Sequence, residues 1–156
     1  MKREIKTHDD FCKIGARWLK NKSFEKFPVV GIEVMSYCPE VPDVFGCNGS
    51  YTAIIEVKVS RADFLRDKNK LWRKHPELGV GDFRLYLCPT GIISPDEVPD
   101  KWGLLWVDES GVVTEAKGIF RGNINFRNTN RFEKNHTHER NIMYSMLRKQ
   151  MIEHKK

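Results

Sequence analysis

No apolar run in this chain approaches the roughly 20 residues that a helix needs to cross a bilayer, so no membrane span is expected. Cysteine occurs at Cys12, Cys38, Cys47 and Cys88, but never as a C-x-x-C pair, which argues against a zinc knuckle. The four are read as free thiols in a reducing compartment. The first eight residues, Met1 to His8, are charged and lack an apolar stretch, so they do not form a secretory signal and a cytoplasmic location is expected. Repeats and low-complexity segments are also missing, and 156 residues suit a single domain, spanning 1–156, with a real core.

Acidic residues are scarce in one part of the chain. Residues 1–116 carry 17 Lys and Arg against 18 Asp and Glu, whereas 117–156 carry 10 against 3, so the whole net charge of +6 comes from the C-terminal loop and helix at about 117–156. A concentrated positive field suits a polyanion, with a solvated basic tail as the alternative.

What is present has a clear order. Asp9 or Asp10 is placed to cap a helix through about Lys20, with Phe11, Ile14, Ala16, Trp18 and Leu19 facing the core. Val29 to Met35 reads as a β-branched strand carrying Glu33, and Tyr37 to Pro42 as a loop. A hairpin follows, turning at Asn48-Gly49 between Asp43–Cys47 and Ser50–Val59. With a two-residue turn, Asp43 faces Ile54 and lies diagonal to Glu56, so Asp43, Glu56 and Lys58 share one face. Ser60 caps a helix that carries Phe64, Leu65, Leu71 and Trp72 inward and Arg61, Lys68 and Lys70 towards the same rim. Strands are expected at Phe83–Cys88, Gly103–Val107 and around Val112–Glu115, with one helical turn near Pro95–Val98. A Gly-, Asn- and Arg-rich loop then leads to a final helix from about His136 to Glu153, packing through Ile142, Met143, Met146, Leu147 and Met151.

The chemistry concentrates in Pro42-Asp43 and Glu56-Val57-Lys58. A carboxylate and an ammonium two residues apart in an otherwise apolar strand are costly unless they are paired or bind something charged. Two acids and a lysine are the minimal set for holding a divalent ion beside a phosphodiester and activating water. Asp43 and Glu56, with the Val57 carbonyl, are the candidate ligands for Mg²⁺ or Mn²⁺, and Lys58 the group that orients or deprotonates the water. A plain Glu56–Lys58 ion pair is the structural alternative. Trp72, Trp102 and Trp106 are read as core, and His136 and His138 as surface or capping residues.

Pro42-Asp43, twelve residues, then Glu56-Val57-Lys58, with a helix before and after, resembles the PD-(D/E)xK nuclease superfamily. The longer run Ile55-Glu56-Val57-Lys58-Val59-Ser60-Arg61-Ala62-Asp63-Phe64, then Asp67-Lys68, with Arg84 to Pro89 and Trp102 to Leu105, is similar to its small bacterial and phage branch, related to MmcB DNA-repair proteins. The resemblance spans about residues 9–108. It implies an α/β, restriction-endonuclease-like αβββαβ core, with a mixed sheet flanked by helices and here a C-terminal helix added. It further implies a metal-dependent DNA endonuclease or DNA-processing phosphodiesterase using Asp43, Glu56 and Lys58. A fourth acid is expected, with Glu33 the first choice and Glu40 the competitor. The expected partner is nucleic acid, DNA before RNA, met by Ser60, Arg61, Lys68, Lys70, Arg121, Arg127 and Arg131, and a homodimer is compatible with cutting two strands. The alternative function is a catalytically silent nucleic-acid-binding module of the same fold.

Overall fold

A computed structural model describes residues 7–120 and 128–155. Six strands, β1 (Val29–Ile32), β2 (Val44–Cys47), β3 (Thr52–Val57), β4 (Phe83–Pro89), β5 (Gly103–Val107) and β6 (Val113–Lys117), form one sheet in sequence order. The first three are antiparallel, β3–β4 and β4–β5 are parallel, and β6 returns antiparallel. Helix α1 (His8–Asn21) precedes the sheet, α2 (Arg61–Asp67) and α3 (Leu71–Lys74) lie in the β3–β4 crossover, and α4 (His136–His154) follows it. The order through β4 is therefore αβββαβ, with the crossover helix in two pieces.

Alternation along β3 divides the molecule into two layers. Ala53, Ile55 and Val57 join Phe83, Leu85 and Leu87 in the core beneath α1. Gly15 of α1 makes that close approach possible, because a Cβ there would stand 3.2 Å from Ile55 Cδ1. Ile54 joins Phe45, Tyr86, Leu104, Trp102 and Ile142 in the core on the opposite side. Glu56 belongs to this second face, so its charge is buried beside the aromatic layer.

Several sequence expectations are corrected. The N-cap of α1 is Thr7, whose side chain accepts from Asp10 N–H, and the acids Asp9 and Asp10 lie in the first turn. Strand β1 stops at Ile32 because Glu33 adopts φ +47°, a left-handed conformation that cannot continue a strand. The hairpin loop holds four residues, since Cys47 pairs with Thr52 and the Asn48 side chain accepts from the N–H groups of Ser50 and Tyr51. This moves the register by two. Val44 pairs with Ile55 in the last step of the ladder, and Asp43 lies just before it, where its carboxylate takes the Val57 N–H instead of facing Ile54. The crossover helix breaks after Asp67, a buried acid that takes its partners from outside the helix. In α4 only part of the expected face packs: Ile142 is buried and Met146 partly so, whereas Leu147 and Met151 are more than half exposed.

Candidate metal and phosphodiester site

The site forms where β2 begins and β3 ends. The Val57 N–H donates to Asp43 Oδ2 at 2.7 Å, tying the carboxylate of one strand to the backbone of the next. Glu56 and Lys58 are buried beside it. Lys58 Nζ lies 2.9 Å from Asp67 Oδ1 and 3.9 Å from Glu56 Oε2, so the Glu56–Lys58 contact is the weaker of the two. Lys70 reaches both acids, at 3.3 Å from Glu56 and 3.0 Å from Asp67. Arg73 spans Glu56, Asp67 and Glu40, and its guanidinium stacks 4.6 Å from the Trp102 ring.

Three buried carboxylates, Glu40, Glu56 and Asp67, are thus matched by Lys58, Lys70 and Arg73. Burial alone would raise the Asp67 carboxyl. Arg73, the Tyr86 hydroxyl at 2.5 Å and Lys58 outweigh it and hold this group below the usual carboxylate range. Glu40 is shifted the other way, upward by burial, despite Arg73 and the Val80 N–H.

Asp43 has a different environment. Burial raises its pKa first and the neighbouring Glu56 charge raises it further, against the Val57 N–H, His8 and Lys58. On its open side stand His8 and Glu33, with His8 Nε2 3.2 Å from Asp43 Oδ1 and His8 Nδ1 3.6 Å from Glu33 Oε1. Cys12, one turn along α1 from His8, places Sγ 3.6 Å from Nδ1. One donor atom from each of His8, Cys12, Glu33 and Asp43 lies within 4.8 Å of all the others, a spacing suited to a metal ion, and Glu56 is outside this set. Burial, then the Asp43 and Glu33 charges, push the Cys12 thiol up to about 12.

Of the two acids considered for the fourth position, Glu33 is beside Asp43, and Glu40 is committed to Arg73 and Val80. Ser60 caps α2 by accepting from Asp63 N–H, and Arg61 pairs with Glu97. Lys68 borders a cleft of about 420 Å³ that adjoins the cluster through Arg73 and Tyr86 and is floored by Phe64 and Trp102. A groove of about 650 Å³ between α1 and the β6 side, lined by Arg17, Trp18 and Val112, holds none of the expected site residues. Arg131 is at the other end of β3, where it pairs with Asp82 and lies over the Tyr51 ring. The expectations for Arg121 and Arg127 fall outside the described residues. Free thiols are found at all four cysteines.

Sequence reasoning missed His8, Cys12, Asp67, Arg73 and Tyr86. The four-residue spacing of His8 and Cys12 on one helix face was the available signal. Nothing local marks Asp67, because its partners come from β3, α3 and β4.

Fold and site define an α/β protein with a mixed six-stranded sheet flanked by helices. No family model matches the chain, and no curated protein matches it. Among solved structures it is similar to the SPO1766 protein of unknown function from Silicibacter pomeroyi, with a TM-score of 0.57 and 19% identity over 89% of this chain and 85% of that one. The likeness extends to the fold. No described helix is long and apolar enough to cross a membrane.

Proposed function

We propose that the protein is a divalent-metal-dependent phosphodiesterase acting on DNA, of the endonuclease or DNA-processing type. The observation that carries this reading is the Asp43 carboxylate held by the Val57 N–H, which places it next to the buried Glu56 and Lys58 on either side of Val57. The Asp43 carboxyl is pushed up by burial and by the Glu56 charge, a conflict that a cation between or beside them would relieve.

The residues fit such an ion by donor chemistry. Asp43 Oδ2 is occupied by the Val57 N–H, while Oδ1 faces His8, with Glu33 nearby. Glu56 can contribute an oxygen only by loosening its contacts of 3.3 Å with Lys70 and Arg73. The ion supplies a Lewis acid and a water of lowered pKa. Lys58, oriented by Asp67, holds the attacking water and balances charge on the phosphate. Lys70, about one-third exposed, offers the phosphate a second cation, and Lys68 guides the strand into the adjoining cleft.

The test is cleavage of a panel of linear, flap and junction DNAs with Mn²⁺ or Mg²⁺. Cleavage is expected to vanish with chelator and to fall by about 10²–10⁴ in Lys58→Ala, the range for loss of a positioned proton-transfer group. Unchanged cleavage in both Lys58→Ala and Asp43→Ala would remove the site from the mechanism. The engagement of both Glu56 oxygens favours a second reading, a silent nucleic-acid-binding module. It predicts salt-sensitive DNA binding that survives Glu56→Ala, with no cleavage under any metal.

A further inference from the structure

Beside the carboxylate oxygens that serve any divalent ion, the donors around Asp43 include an imidazole nitrogen and a thiol sulfur, which a borderline ion uses better than Mg²⁺ does. We propose that His8, Glu33 and Asp43, with Cys12 as the fourth donor, form a site for a borderline divalent ion of the Zn²⁺ or Co²⁺ class. The inference deepens the proposed metal dependence by naming the ion class, and it rests on that reading only through the shared Asp43.

Bonds of about 2.0–2.3 Å from a tetrahedral ion to nitrogen, oxygen and sulfur put neighbouring donors roughly 3.3–3.7 Å apart. The two ring nitrogens of His8 reach different neighbours, Nε2 lying 3.2 Å from Asp43 Oδ1 and Nδ1 lying 3.6 Å from both Glu33 Oε1 and Cys12 Sγ, so one nitrogen binds the ion and the remaining donors close in by about 1 Å. All four donors lie within 4.8 Å of one another before any ion draws them together. They come from three separately anchored pieces of chain. His8 and Cys12 are one turn apart on α1, which Thr7 caps. Glu33 N–H donates to the Asp43 carbonyl at 3.0 Å, joining the end of β1 to the start of β2. The Asp43 side chain is fixed in turn by Val57.

Chemistry selects among ions. Imidazole nitrogen and thiolate sulfur favour borderline and soft metals, whereas Mg²⁺ and Ca²⁺ favour carboxylate, carbonyl and water. Cys12 is fully buried while His8 and Glu33 are partly exposed, so the site opens to solvent on one side and is closed by sulfur on the other. Binding at Cys12 forms a metal–sulfur bond and releases the thiol proton to solvent.

The experiment is a Co²⁺ titration of the full chain followed by visible and near-ultraviolet absorption, with Zn²⁺ and Mg²⁺ as competitors. We expect the intense ligand-field bands of four-coordinate Co²⁺, a sulfur-to-metal charge-transfer band, displacement by equimolar Zn²⁺ and none by a large excess of Mg²⁺. Cys12→Ser removes the charge-transfer band. His8→Gln and Glu33→Gln each weaken Co²⁺ binding by on the order of tenfold or more. Glu33→Gln changes a half-exposed position and so tests the donor set even if a Cys12 variant fails to fold. A Co²⁺ spectrum like that of the free aqua ion, or affinity unchanged in His8→Gln and Glu33→Gln, overturns the assignment. An imidazolium simply bridging two carboxylates would give that result. Glu56→Gln separates the two proposals: Co²⁺ binding retained in that variant supports this site whether or not the protein cuts DNA. Cleavage by a chain that does not bind Co²⁺ would sink this site alone.

Discussion

The two ends of β3 carry two clusters of buried charge. At its start, Thr52 N–H donates to Asp82 Oδ2 at 2.9 Å, and the Thr52 hydroxyl meets Glu139 Oε2 at 2.7 Å. Gly81 N–H also donates to Glu139, and Lys134 Nζ joins Asp82 and Glu139 at 2.7 and 2.8 Å. Arg131 closes the other side of Asp82. Two acids face two cations, and α4 is thereby anchored to the sheet. Burial would raise Asp82, but Lys134, the Thr52 N–H and Arg131 bring it below its usual range. At the end of β3 the Glu56–Asp67 side is balanced in the same way, but among the described residues the ion-pair partner of Asp43 and Glu33 is His8, an imidazole that is charged only when protonated, with the Val57 N–H on the other Asp43 oxygen. A satisfied network ties elements together, and an unbalanced one is what a bound ion or substrate can complete.

The largest effect that tests this contrast is on stability. Asp82→Asn strips the carboxylate from a buried, fully partnered cluster and is expected to cost about 3–5 kcal/mol in urea unfolding. Asp43→Asn retains an acceptor for the Val57 N–H and is expected to leave stability unchanged or slightly higher at neutral pH. Equal losses in the two variants would show that both clusters are structural.

A smaller effect separates them by pH. Asp82 has a lowered folded pKa, so its contribution is present above the unfolded value of about 3.9 and is lost as pH falls through the folded value. Asp43 has a raised folded pKa, so its contribution is present below about 3.9 and is lost as pH rises through the folded value. The wild-type minus Asp82→Asn difference in urea midpoint should therefore grow from acid to neutral pH, and the wild-type minus Asp43→Asn difference should fall. Parallel curves would contradict the opposite environments.

Much of the fold was legible because its signals are local. Apolar runs marked β3, β4 and β5, Ser60 marked the start of α2, and Pro95–Glu97 forms the single turn expected. Asn48-Gly49 marked the turn but not its length, because the Asn48 side chain accepts from Ser50 and Tyr51 and so closes a four-residue loop. What was illegible depends on long-range contacts. Arg131 was expected to meet nucleic acid and instead pairs with Asp82, while Lys134 is held between Asp82 and Glu139. Asp67 was given no role from the sequence, and tertiary ion pairs make it the residue that orients Lys58. The stripe expected along α4 loses its partner after Met146, so Leu147 and Met151 face solvent.

The central claim is that the Asp43 end of β3 binds a divalent ion and the Asp82 end does not. A crystal of the full chain soaked in Mn²⁺ and measured for anomalous scattering tests it most directly. The account predicts one strong peak within bonding distance of an Asp43 oxygen, with His8 or Glu33 among its other ligands. A map with no peak at Asp43, or with its peak between Asp82 and Glu139, would contradict it.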